Sequence, residues 1–395
     1  MKSLKEFLAD NNLFFECPEI VEGEGVLQNS PKVLASATPV RRIALICDKI
    51  FADTGDELQL LLEKEKFAVK RVNASVCSRI SSAQEIDKTC ADYSVFAALG
   101  GGTLCDAVKL VAARREGQVA LFPTTLSTEA YYTDTSQFVL ENRTVRSKLA
   151  DFVFADMNIL ALNDRRFTAA GYGRLLSLYE RLFECKYDAL INGKYLPPFT
   201  DALLREMNAF FMSDTKGPDF LTDLSRALQK AAVCFNALPP EWDTLDNLIS
   251  VSQGTSLQGQ NGPLAAYVKL NLYSCILEHP AVDCLLPPDR TKSRKLLRKY
   301  FSELALKDEE PSIVSDYFKS AHILDEYRAD MYNLIENMHF QDYVRTWRRL
   351  YPDAGYWIKD YIGSAKLLRL MSIAAECDCG FVHDIKLRGC LENFI

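Results

Sequence analysis

Read as a pattern of apolar and polar positions, the chain changes character near its middle. From Ile43 to Phe122, short apolar runs alternate with stretches of helical period. Ile43–Cys47 ends at Asp48; Ala68–Val72, Val95–Leu99 and Val119–Phe122 follow, and runs this short without helical spacing predict buried strands. Gly55–Glu65 and Ser82–Lys88 between them predict helices. After Val95–Leu99 come Gly100, Gly101 and Gly102. Then Leu104, Ala107, Val108, Val111 and Ala112 recur at i, i+3, i+4, i+7 and i+8, one face of an amphipathic helix. Arg114, Arg115 and Gly117 suit its C-terminal end. Strands alternating with helices predict a parallel sheet with crossover helices.

Residues 1–40 predict an N-terminal helix followed by irregular and extended chain. Phe138–Leu140 and Phe152–Ala155, on either side of the charged stretch ENRTVRSK, predict a hairpin and then the last strand of this domain. From about Asn163 the period is helical. Predicted helices are Leu203–Phe211, Leu221–Phe235, Leu245–Val251, Leu264–Leu277, Thr291–Leu306, Ile313–Met338, Tyr343–Leu350 and Trp357–Ala375. The expected fold class is an α/β N-terminal domain with a parallel nucleotide-binding sheet, residues 1–162, and an all-α C-terminal domain, residues 163–395.

Composition adds exclusions. A net charge of −7 argues against nucleic-acid binding, which needs a basic surface. No apolar run reaches the roughly 18 residues of a membrane span, and MKSLKEFLADNN lacks the apolar core of a signal peptide. The expectation is a cytoplasmic protein with no membrane partner. The 12 cysteines are scattered without a C-x-x-C pair, which predicts reduced, mostly buried thiols. Cys377 and Cys379 lack the further ligands of a structural zinc site.

The segment from Val95 to Ser127 carries the clearest chemistry. Glycines between a strand and a helix let backbone approach a phosphate, with the helix N-terminus facing it. Thr124, Thr125, Ser127 and Thr128, after the next strand, add hydroxyls. The triple glycine by itself fits a tight strand-to-helix turn equally well; the hydroxyl loop favours a nucleotide site. Asp48, at a strand end, reads either as a polar loop residue or as an acceptor for a ribose diol.

These residues resemble a family. GGGTLCDAVK is similar to the GGGxxxDxxK segment of the dehydroquinate synthase, glycerol dehydrogenase and glycerol-1-phosphate dehydrogenase group, itself related to the iron-containing alcohol dehydrogenases. PTTLSTEA resembles that group's PTTLL and PTxxSTDA, and FADMNILALNDRRFTAAGYGRLLSLYE its VDTxxI…RxxxAGxGDxLsxxxE. The matched segments run from about Ile43 to Glu180. The resemblance implies an N-terminal nucleotide domain, a helical domain and an active site between them. It implies NAD or NADP bound by Asp48, Gly100, Gly101, Gly102, Thr103, Asp106, Lys109, Thr124, Thr125 and Ser127. Asp48 takes the ribose, as the corresponding Asp does in glycerol dehydrogenases. Glu129 falls at the Asp of STDA, near the substrate in those enzymes.

The expected metal site departs from the group. Most members hold a divalent metal with one Asp and two His, which polarises the substrate hydroxyl. The Asp of AGxGD is Arg174 here, and a guanidinium does not coordinate a cation. The first His, in a helix similar to GPLAAYVKLN (262–271), aligns with Val268, and the HG dipeptide of the second is absent. The four histidines, His279, His322, His339 and His383, form no ligand pair. No metal is therefore expected. Arg174 reads in two ways: a helix N-terminal arginine against a carboxylate such as Glu129 or Asp134, or a replacement for the metal's charge that binds an anionic group. Lys269 is a candidate to join it, making Glu129, Arg174 and Lys269 the catalytic candidates.

Three functions follow as expectations. The first is an NAD(P)-dependent oxidoreductase acting on a polyol or polyol phosphate without catalytic metal. The second is a nucleotide-binding relative that has lost chemistry or serves regulation, and a dehydroquinate synthase-like lyase is a weaker third. The expected partner is a small molecule, with an anionic one favoured by Arg174; homo-oligomerisation stays open.

Overall fold

A computed structural model of the chain describes residues 1–141, 143–213, 219–237, 249, 258–277 and 317–352. Its compact units are two: Met1–Gly171 with Ser213–Asn236, and the remainder of the chain from Tyr172 onward.

In the first unit, α1 (Leu4–Asp10) is followed by β1 (Glu19–Gly23), α2 (Val26–Ala37), β2 (Arg42–Asp48), α3 (Ala52–Lys64), β3 (Ala68–Ala74) and α4 (Ile80–Thr89). Then come β4 (Val95–Gly100), α5 (Gly102–Arg114), β5 (Gln118–Pro123), β6 (Thr135–Phe138), β7 (Arg143–Arg146), β8 (Phe152–Asp156) and α6 (Met157–Ala161). α7 (Arg165–Asn192) crosses the unit boundary; α8 (Thr200–Met212) is in the second unit, and α9 (Phe220–Ala237) in the first save its last residue. α10 (Gln258–Leu277), α11 (Tyr317–Asn337) and α12 (Phe340–Leu350) complete the described second unit.

Six strands form one parallel sheet in the order β1-β8-β5-β4-β2-β3. The central strands are apolar on both faces because helices cover both, the usual condition of a parallel sheet. Leu45, Ala97, Leu99, Phe122 and Phe154 meet in its core. The parallel α/β sheet followed by helices agrees with the expected fold class, while the compact units divide the chain elsewhere than at 162/163, with Ser213–Asn236 joining the first. The expected helices Thr291–Leu306 and Trp357–Ala375 lie outside them, as does Leu245–Val251 apart from Ile249.

Two local expectations change. Residues 11–40, expected as irregular and extended chain, do contain an extended sheet-edge strand, β1, but also a helix, α2. Pro31 lies inside α2, where it cannot donate to the carbonyl of Leu27. The Ser30 hydroxyl donates to that carbonyl instead, at 2.8 Å. The hairpin pairs β6 with β7, so its second arm lies within the charged stretch. Val139 and Leu140 leave the ladder because their N–H groups donate to Ser78, at 2.8 Å to Oγ and 3.2 Å to the carbonyl.

The N-terminal helix α1 begins at a capping box. Ser3 Oγ accepts from the Glu6 N–H, and the Glu6 carboxylate accepts from the Ser3 N–H at 2.8 Å. α9 is tied to β1: Arg226 Nε donates to Glu22 Oε1 at 2.6 Å and Gln229 Nε2 to Glu22 Oε2 at 2.9 Å. In the second unit, Tyr172, Phe211 and Tyr343 from α7, α8 and α12 form an aromatic core, with ring centroids 4.8 Å apart for the first pair and 5.0 Å for the second.

Candidate functional site

In the sheet order, β3 lies on one side of β2 and β4 on the other, so consecutive connections leave in opposite directions at the β2–β4 gap. Such a switch point opens a crevice beyond the C-terminal strand ends. Asp48 ends β2, Gly100 ends β4 and pairs in register with Pro123 at the end of β5. The glycine turn and the hydroxyl loop therefore share one edge of the sheet.

The three glycines have different reasons to be glycine. A Cβ on Gly100 would stand 2.5 Å from Leu104 Cδ2, and one on Gly102 would stand 2.5 Å from Thr128 Cγ2. Those two are excluded by packing. Gly101 has ordinary extended backbone angles, φ −76° and ψ 176°, and its Cβ would meet only Thr125 Oγ1, at 3.7 Å. A Cβ at Gly101 would thus make only an ordinary contact, and the residue stands half-buried at the N-cap of α5, where no side chain caps the helix. The first amides of a helix have no intrahelical acceptor, and the helix dipole puts partial positive charge at this end.

The hydroxyl loop closes one side of this cradle. The Thr124 N–H donates to the Gly100 carbonyl at 3.1 Å, which fixes the loop against the glycine turn. Thr124 Oγ1 is buried with no hydrogen-bond partner, an unusual state for a hydroxyl. Thr125 Oγ1 lies 3.0 Å from Ser127 Oγ and 2.9 Å from Tyr131 Oη. Burial raises the Tyr131 phenol well above its ordinary pKa, so it stays a neutral donor. Gly171 anchors the same loop: its Cβ, were there one, would lie 1.8 Å from the Leu126 carbonyl oxygen.

The other expected cofactor residues stand further back. Lys109 is fully buried, and Nζ donates to the carbonyls of Ala130 (2.7 Å), Thr133 (3.2 Å) and Thr135 (2.5 Å), with Asp106 Oδ1 at 3.0 Å. Asp106 Oδ2 accepts from the Gln137 N–H at 3.2 Å. Burial raises the Asp106 pKa, and the Lys109 charge opposes that shift. The pair braces residues 130–137 behind the hydroxyl loop. Thr103 is half-buried in the first turn of α5. Asp48 is half-buried, and its Oδ1 caps the following 3-10 turn by accepting from the Ile50 N–H at 3.1 Å. Glu129 is buried and accepts from Thr128 Oγ1 at 3.4 Å.

In the second unit, Arg174 is buried in the third turn of α7, not at a helix N-terminus. The reading of Arg174 as a helix N-terminal arginine is corrected, because the helix already starts at Arg165, nine residues earlier. Lys269, on α10, is buried with its ammonium against Glu180 and, at 3.0 Å, Glu184. The Tyr273 hydroxyl donates to Glu184. Glu180, Glu184 and Tyr273 were not singled out from the sequence, although the i, i+4 spacing of the two glutamates was visible. Asp156 was likewise missed. Its buried carboxylate accepts from the N–H groups of Gly25 (3.1 Å), Leu27 (2.8 Å) and Asn158 (3.0 Å), and so caps α2 and α6 together.

The described residues at the implied ligand positions do not fit a divalent metal. A buried guanidinium occupies the Asp position, and buried Val268 the first His position. Among the described residues no three His, Cys, Asp or Glu side chains gather as a ligand set. His339 lies at the start of α12; His279, His383 and the side chain of His322 fall outside the described residues. No described helix is long and apolar enough to cross a membrane.

The architecture is a doubly wound parallel sheet with a glycine turn at its switch point. Comparisons with known proteins narrow it. Residues 21–162 match the sequence family of iron-containing alcohol dehydrogenases. A glycerol-1-phosphate dehydrogenase [NAD(P)+] from Pyrococcus furiosus is 27% identical over 192 residues, 47% of this chain and 54% of that protein. The matched part thus spans about half the length of that curated relative. Glycerol dehydrogenase from Schizosaccharomyces pombe superposes with TM-score 0.56 at 14% identity, covering 86% of this chain and 93% of that one. An iron-containing alcohol dehydrogenase from Thermotoga maritima gives TM-score 0.60 at 12% identity, covering 96% and 98%. The chain shares its fold with these glycerol dehydrogenase and iron-containing alcohol dehydrogenase structures, in agreement with the resemblance of the sequence segments.

Proposed function

We propose that the chain is an NAD(P)-dependent oxidoreductase acting on a polyol or polyol phosphate, without a catalytic metal. The observation that carries this reading is the glycine turn at Gly101, which has room for a ligand atom at an uncapped helix N-terminus, next to a hydroxyl loop that holds a buried, unpartnered Thr124 hydroxyl. A pyrophosphate suits it: anions are favoured at helix N-termini, and a phosphate oxygen would satisfy Thr124. Thr125, Ser127 and the first amides of α5 would add donors, and Asp48 would accept from a ribose diol through Oδ2. When bound, a nicotinamide nucleotide supplies the acceptor or donor of hydride.

Arg174 is the proposed electrophile. It stays protonated at any physiological pH, and a buried positive charge lowers the cost of negative charge developing on a substrate oxygen. An anionic substrate group is the ligand it would select. Glu129, one methylene longer than the Asp of the resembling motif, would hold substrate hydroxyls. Lys269 is not assigned to substrate, because its ammonium is committed to Glu180 and Glu184. That commitment favours a second reading, a nucleotide-binding relative without turnover, since it leaves fewer groups for chemistry.

Fluorescence titration with NADH and NADPH, followed by NAD+ and NADP+ reduction assays on glycerol and glycerol phosphates, tests both. Binding with turnover supports the oxidoreductase, and binding without turnover on any polyol supports the second reading. Absence of binding to either nucleotide removes both. NADH is expected to bind more tightly than NADPH, whose 2′-phosphate would meet the charge of Asp48.

A further inference from the structure

We propose that the helical unit carries its own cation: the Lys269 ammonium, gripped by Glu180 and Glu184, fastens α10 to α7 where a bound metal would otherwise do so. Glu180 and Glu184 lie one turn apart on α7, with side chains 7% and 3% exposed. Two carboxylates at i, i+4 on one helix repel each other, and burial adds the cost of lost hydration. Such a pair is stable only around a positive charge. Lys269 Nζ donates to Glu180 Oε1 and to Glu184 Oε1, the latter at 3.0 Å, from a side chain 1% exposed. Tyr273, one turn along α10, donates to the same Glu184 oxygen. Two glutamates on one helix and a lysine and tyrosine on the other form a set of matched i, i+4 pairs.

Carboxylate and other oxygen ligands of this kind are also the ligands of hard cations such as Mg2+ and Ca2+. Here a covalently attached ammonium fills that role. The resemblance places metal ligands on these same two helices, and the residues found there, Arg174 and Val268, do not bind metal. The ammonium that joins α7 to α10 is covalently attached to Lys269 and, unlike a bound ion, cannot dissociate. Lys269 is in this account a positioning residue that orders α7, the helix bearing Arg174. The inference rests on side-chain geometry and stands independently of the proposed reaction.

Thermal melting of the full chain tests it. The wild type should melt at the same temperature with a chelator, with Mg2+ and with Zn2+. K269M should melt about 10 °C lower, since it takes the ammonium away from two buried carboxylates. K269M/E180Q/E184Q, which removes both charge signs at similar volume, should recover most of that loss. K269A should regain stability with added methylammonium, the head group of the missing side chain, and the triple variant should not respond to it. A K269M protein that melts like wild type overturns the proposal, as does a triple variant melting no higher than K269M. So does a wild type that loses stability to the chelator. If K269M yields no folded protein, recovery of folding in the triple variant supports the proposal and its failure overturns it.

Discussion

Replacing Gly101 with valine separates cradle from scaffold. The backbone at Gly101 is extended, with φ −76°, so a β-branched residue is not strained there. Its Cβ meets only Thr125 Oγ1, at 3.7 Å, an ordinary contact. Folding stability should change by less than about 1 kcal/mol, and the loss of glycine's freedom in the unfolded chain pushes toward gain. The added methyl groups enter the space assigned to the pyrophosphate. Displacing a phosphate from one or two backbone amides removes charge-assisted hydrogen bonds worth about 1.5–3 kcal/mol each. A loss of about 3 kcal/mol corresponds to an affinity roughly 100-fold weaker. Urea denaturation measures the first quantity and NADH fluorescence titration the second. A folded G101V protein that binds NADH with unchanged affinity would refute the assignment of the glycine turn to the ligand. G102A serves as contrast: its Cβ would lie 2.5 Å from Thr128 Cγ2, so it should disturb the loop itself and lower stability and binding together.

Other outcomes follow from buried contacts. Asp156→Ala removes the acceptor for three amides at two helix starts and should cost about 2–4 kcal/mol in urea denaturation; a change under about 0.5 kcal/mol would rule out its capping role. Gly171→Ala sets a Cβ 1.8 Å from a backbone carbonyl and should lower stability by about 3 kcal/mol or more, with NADH binding weakened because the hydroxyl loop must move. Wild-type stability and affinity in G171A would show that loop and helix approach less closely. The Glu6 carboxyl is held below its ordinary pKa by hydrogen bonds from the Ser3 backbone and hydroxyl. A folded pKa below the unfolded one means that the contribution is fully present above the unfolded value, about pH 4.3, and fades as pH falls through the folded one. Amide exchange at Ser3 should therefore accelerate below about pH 4, and exchange that follows only the intrinsic rate law across that range would contradict the capping box.

The strand–glycine–helix–strand unit was legible because its residues obey local rules. Apolar runs without helical period, a glycine break and a clean i, i+3, i+4 stripe leave one reading, and burial of every residue of β4 agrees with it. Helix α2 was hidden by Pro31, whose cost is offset by the Ser30 hydroxyl, a side-chain choice without a sequence signature. β1, EIVEG, carries two glutamates and lies at the sheet edge, so no apolar run marks it. The division of labour among Gly100, Gly101 and Gly102 depends on Leu104 and Thr128, and only three-dimensional packing shows which neighbour each glycine meets. The tie between Lys269 and Glu180 joins positions 89 residues apart, and nothing local marks either partner as buried. The departure of Arg174 from the expected carboxylate was legible, because it needs only residue identity. Its burial in the third turn of α7 was not, because burial depends on what packs against the helix rather than on residue identity.

The most direct test of the central claim is nucleotide reduction by metal-stripped protein. NAD+ reduction is followed by absorbance in the presence of a chelator, with glycerol and glycerol phosphates as substrates, for wild type and Arg174→Ala. The account predicts turnover that is indifferent to chelator and to added Zn2+, Fe2+ or Ni2+, and that falls at least about 100-fold in R174A, the scale of losing a charged transition-state contact. Turnover that appears only when a metal is added, or that survives in R174A, would contradict it.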